Sequence, residues 1–121
     1  VTATESPSAL LLRAADRLDG LLAAMGDNRG PWYIANEASH PYPQSIRNIG
    51  VPYVVADTFT DPSHTPDTAR YICAMHPGTG RDFAAMLRAA AAMAEGMPEA
   101  ADVSVIRTAL SAARNVLKEA S

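Results

Sequence analysis

The proline at position 77 constrains this chain more than any other residue, because it interrupts its longest helical apolar pattern, Thr65 to Gly96. Proline has no N–H to donate, and its ring pushes the preceding residue out of the α region, so one continuous helix cannot pass His76. The stretch must therefore hold two helices, predicted over 66–75 and 77–95. Thr65 suits an N-cap, with Pro66 at the first helical position and Asp67 in the first turn, where a carboxylate meets the positive end of the dipole. Tyr71, Ile72 and Met75 are expected on one face of this short helix. In the longer one Phe83, Leu87, Ala90, Ala94 and Met97 recur four and three apart and draw an apolar stripe.

The same start signal occurs at Ser6-Pro7, followed by Leu11, Ala15, Leu18, Leu22 and Met25, with Gly26 as a stop. This predicts a helix over 7–25, with 1–5 before it frayed. Gly20 sits inside that helix at a penalty of about 1 kcal/mol relative to alanine, so either a neighbour packs closely there or the turn is weak. Asp27 to Pro31 is dense in turn formers, and Trp32 to Ala35 suits a strand. Pro41, Pro43 and Gly50 make the next segment a loop or edge with room for a short strand near Ile46. Val51 to Phe59 is the strongest β signal. The β region is thus 32–59. A final helix is predicted over 103–119, capped by Asp102, with a stripe of Val103, Ile106, Leu110, Ala113 and Leu117. The fold class is α+β and mostly helical: three long helices and a short one around a small antiparallel hairpin or three-stranded sheet.

The 121 residues fit a single domain that needs neither disulfides nor a structural metal. Ten basic and thirteen acidic residues leave a formal charge of −3 with no block of like charge, which disfavours nucleic acid and membrane surfaces as partners. The single cysteine, Cys73, forms no internal disulfide and fits a reducing cytoplasm. Leu10 to Leu12 are closed off by Arg13 and Asp16, so no secretion signal is expected. The apolar window Ala89 to Ala94 is too short to span a bilayer.

Gly30-Pro31-Trp32, then a β stretch, then Ala69-Arg70-Tyr71-Ile72 leading through Met75-His76-Pro77 into an amphipathic helix, resembles small actinobacterial and actinophage proteins of unknown function. The order of elements from Leu10 to Leu87 is also loosely similar to lambdoid-phage Ead-like proteins. The resemblance implies a bacterial or phage accessory protein and supplies no catalytic residue. Gly78 and Gly80 depart from the better helix formers expected after that proline.

Candidate chemistry is sparse. Cys73 and His76 can share a helix face, but a metal site needs three or four ligands, and His40 and His64 have no ligand spacing to each other. No metal and no cofactor are expected, and Cys73 reads as a structural cysteine beside a capping histidine. Gly78, Gly80 and Arg81 at a helix start can offer donors to an anion, although a phosphate loop would follow a strand and end in lysine with serine or threonine. Ser39 and His40 have no strained elbow to make a hydrolase triad. Trp32, Tyr33, Tyr42 and Tyr53 form an aromatic set that fills the core or presents a stacking surface, with Trp32 expected where the hairpin meets the first helix.

Absent chemistry and strong helical stripes lead to a non-enzymatic interaction protein that binds another protein or itself. Two alternatives stand beside it: a ligand- or anion-binding module or minor enzyme at His76 to Arg81, and DNA binding through Arg107, Arg114 and Lys118. The apolar seam of the last helix is expected at the centre of a homodimer, with Val103, Ile106, Arg107, Leu110 and Leu117 at the interface.

Overall fold

A computed structural model describes residues 5–26, 30–35, 44–49, 54–58, 65–97 and 102–118. They form an α+β, mostly helical fold with four helices and a three-stranded antiparallel sheet. In chain order the elements are α1 (Pro7–Ala24), β1 (Trp32–Ile34), β2 (Gln44–Asn48), β3 (Val54–Thr58), α2 (Thr65–Ala74), α3 (Pro77–Ala94) and α4 (Ser104–Leu117). The chain divides into two compact units, one of Val1–Ala23 with Arg81–Ser121 and one of Ala24–Gly80.

In the first unit α1, α3 and α4 share one core. Leu10, Leu11, Ala14 and Ala15 of α1 meet Ala84, Leu87, Ala90, Ala91 and Ala94 of α3 and Ile106, Leu110 and Ala113 of α4. The expected stripes are present in outline, with Leu18, Phe83, Val103 and Leu117 partly buried at the edges. The stripe of α3 is wider than expected, since Ala84 and Ala91 are buried too, while Met97 lies exposed beyond the helix end. Arg88 of α3 ties this helix to α1, donating from Nη2 to Asp16 Oδ1 at 3.0 Å and to Asp19 Oδ2. Glu5, placed in the frayed segment by sequence, instead accepts from Arg13 at 2.8 and 3.0 Å. That hydrogen bond holds its carboxyl below the usual glutamate range.

The seam assigned to a dimer interface is part of this core. Ile106 and Leu110 are buried inside the chain, and Val103 and Leu117 are partly covered by it. A three-helix core consumes the apolar stripe of its third helix, which leaves Ile106 and Leu110 almost no exposed surface for a second copy. Arg107 is exposed and donates from Nη2 to the Asp102 carbonyl at 2.8 Å. Asp102 is not the cap of α4. Val103 holds that position in extended conformation with no side-chain bond, and its carbonyl accepts from the Arg107 amide at 2.8 Å.

The second unit is the meander β1-β2-β3 with α2 packed against all three strands. One face carries Ile34, Ile46 and Ala56 in register beside the pair Trp32 and Asn48, and the other carries Tyr33, Arg47 and Val54. The pairing skips Val55, a bulge that re-aims β3. On the second face Ser45 Oγ donates to Asp57 Oδ1 at 2.6 Å. Ile46 and Asn48 are buried, whereas Trp32 is half-buried rather than a fully enclosed core residue. The inward face of α2 also differs from expectation. Ala69 is fully buried with Ile72 and Cys73 half-buried, while Tyr71 is 68% exposed and Met75 points to solvent. A small residue lets the helix lie close to the sheet, and a residue two positions from Ala69 turns about 200° away from it.

Two stability measurements check this packing. A Cβ added at Gly20 meets nothing within 4 Å, so no close neighbour explains that glycine. Gly20→Ala is expected to raise stability by about 0.5–1 kcal/mol in denaturant titration. Leu110→Ala should lower it by about 2–5 kcal/mol, the range for deleting a buried leucine from a core.

Candidate functional site

Two places hold the residues that sequence singles out or that the fold leaves open. The first is the joint between α2 and α3, made by Met75 and His76. Every break between helices leaves carbonyls at one end and amides at the other. Here Thr79 Oγ1 donates to the Ala74 carbonyl at 2.6 Å, and the His76 amide donates to the Cys73 carbonyl at 3.3 Å. The Gly78 amide donates to His76 Nδ1 at 3.0 Å and the Gly80 amide to the His76 carbonyl at 3.1 Å. His76 is therefore the N-cap of α3, its imidazole doing what an asparagine or aspartate oxygen does elsewhere, with Pro77 at the first helical position. The bond requires the tautomer with its proton on Nε2.

This geometry explains the two glycines that flank the histidine in space. A Cβ on Gly78 would lie 2.5 Å from His76 Cε1, so any side chain there turns the ring away from its amide. Gly30 has φ of +76° and would place a Cβ 3.1 Å from Pro77 Cδ and 3.2 Å from His76 Nδ1. Gly30 thus sits directly on the His76-Pro77 step, and the Gly-Pro-Trp turn and the Met-His-Pro junction are two sides of one contact. Sequence spacing gave no sign of this, because the two segments lie far apart in the chain.

The remaining candidates at this place do not converge. Trp32 and Tyr33 lie on opposite faces of the sheet, as neighbours in a strand must. Arg81 is exposed. With the amides of Gly78 and Gly80 engaged and none on Pro77, the first turn of α3 has little left for an anion. Cys73 is half-buried, and among the described residues no three of His, Cys, Asp and Glu gather as a metal site would require. His40, His64, Ser39, Tyr42 and Tyr53 lie outside the described residues.

The second place is an apolar groove of about 340 Å³ between α3 and α4. Phe83, Met86, Leu87 and Ala90 form one wall, and Val105, Ala109 and Ala112 the other. Met86 is 66% exposed and Val105 62%, so both rims are large apolar side chains in solvent. The polar members of the lining are Ser104 and Thr108, and the Thr108 hydroxyl is turned back to the Ser104 carbonyl at 3.0 Å. Among the described residues no titratable group lines the groove. Such a surface suits docking of apolar groups. The basic residues of α4 stand elsewhere on that helix, Arg107 and Lys118 exposed and Arg114 half-buried.

No family model, curated protein or solved structure matches this chain. None of the described helices is long and apolar enough to cross a membrane.

The cap makes a specific prediction. His76→Ala should destabilise by about 0.5–2 kcal/mol in thermal or denaturant unfolding, and His76→Asn should recover most of it, since an amide oxygen can take the same bond. Equal losses in the two variants would mean that the ring's packing on Gly30 matters more than its acceptor.

Proposed function

We propose that this chain is a non-enzymatic interaction protein that pairs with a second copy of itself through the α3–α4 groove. The observation that carries the reading is the outward face of α3. From Phe83 to Met97 only Arg88 and Glu95 are polar, and Arg88 is tied to α1. The face turned from the core presents Ala85, Met86, Ala89, Ala92 and Met93, all exposed in the single chain. A helix that is apolar all round belongs in an interior. Two copies related by a two-fold axis cover the same patch on each other, the commonest arrangement in homo-oligomers. Met86 and Met93 on this face support this, since flexible thioethers mould to a partner surface. The site proposed here replaces the α4 seam, which the chain covers for itself.

The joint at His76 supports a non-enzymatic reading as well. Its conspicuous residues are engaged in capping and close packing, so their presence is accounted for by folding. The likeness of the Gly-Pro-Trp and Met-His-Pro motifs to actinobacterial and phage proteins adds the expectation of an accessory protein from a bacterium or its phage, and the single Cys73 that of a reducing cytoplasm.

Light scattering on the wild type, Met86→Asp and Val105→Asp tests the proposal. Both substitutions are at solvent-exposed positions and should leave the fold intact by circular dichroism. The expected result is a dimeric parent and folded, monomeric variants. A wild type that is monomeric at high micromolar concentration sinks the proposal, and folded variants that stay dimeric move the interface elsewhere.

A further inference from the structure

We propose that Met86 and Met93 form an oxidation switch for this face, with a hydroperoxide as the oxidant. The inference rests on the self-association proposed above and names its regulation. The two thioethers stand two helical turns apart on one side of α3, 66% and 53% exposed. Their neighbours on that side, Ala85, Ala89 and Ala92, carry single methyl groups that cannot shield a sulfur atom. Before pairing, both sulfurs are open to a small oxidant. After pairing they lie in an apolar seam.

The chemistry is a two-electron oxygen transfer. A sulfur lone pair attacks one peroxide oxygen, the S–O bond forms as the O–O bond breaks, and the proton passes to the departing oxygen. Hydrogen peroxide leaves as water and the thioether becomes a sulfoxide. The sulfoxide oxygen is a strong acceptor, and the side chains beside the two sulfurs on this face, Ala85, Ala89 and Ala92, offer it no hydrogen bond. Burying an unanswered acceptor is unfavourable, and two-fold symmetry presents each methionine twice. The dimer dissociation constant should rise at least about tenfold.

The experiment titrates hydrogen peroxide into the wild-type protein, maps each sulfoxide by peptide mass spectrometry and reads mass by light scattering. Dithiothreitol is then added to reverse thiol oxidation at Cys73. The expected result is dissociation in step with oxidation of Met86 and Met93, unaffected by dithiothreitol and undone by the two methionine sulfoxide reductases, one for each sulfoxide epimer. The double variant Met86→Leu, Met93→Leu keeps the apolar volume and should stay dimeric at the same dose, while Met75→Leu should dissociate like the wild type. A wild type still dimeric with both residues fully oxidised overturns the inference and leaves self-association standing. Equal dissociation of the double leucine variant overturns it too. An unoxidised wild type that is already monomeric overturns both.

Discussion

Close approach of α1, α3 and α4 is the constraint on which the first unit depends, and alanine makes it possible. Seven of the twelve residues in that core are alanines, so the helices meet through methyl groups with Leu11, Leu87, Ile106 and Leu110 filling the space between. A core of this kind has little room for longer side chains. Methionines on α3 are therefore turned outward, and the helix ends with an apolar exterior as a by-product of how its interior is packed.

The second unit solves a different problem with the same economy of volume. A three-stranded meander needs one face covered, and α2 covers it by presenting Ala69 rather than its larger Tyr71 and Met75. The short helix must then stop and hand the chain to α3 without leaving amides unmet. His76 does this with its own ring, and the absence of side chains at Gly30 and Gly78 leaves that ring its place.

Much of the architecture was legible in the residues. Proline after serine marked the start of α1, and proline after histidine the start of α3; β-branched and aromatic runs marked β1 and β3. What sequence could not assign was which apolar face meets which partner. In α3 alanine lies on every side, so periodicity marks one stripe while an equally apolar one faces outward. In α4 the stripe of Ile106 and Leu110 was correctly drawn but assigned to a second copy, because counting helices against a small sheet overlooks that three helices can cover one another. The capping role of His76 was legible from the proline that follows it; its contact with Gly30 was not, since no local pattern reports a long-range approach of backbone to ring.

The division of the chain into units has a consequence for how it folds. The unit of Ala24–Gly80 is continuous, and its strands and α2 find their partners among near neighbours. The helical unit is split, with α1 made first and its partners α3 and α4 arriving only after the whole of the other unit. Closing that span has an entropic penalty that an already folded insert reduces, by bringing the ends of the span under constraint. During synthesis α1 emerges with its leucines uncovered and must wait for Leu87, Ile106 and Leu110, so the interval between the two is when this chain is most exposed to aggregation.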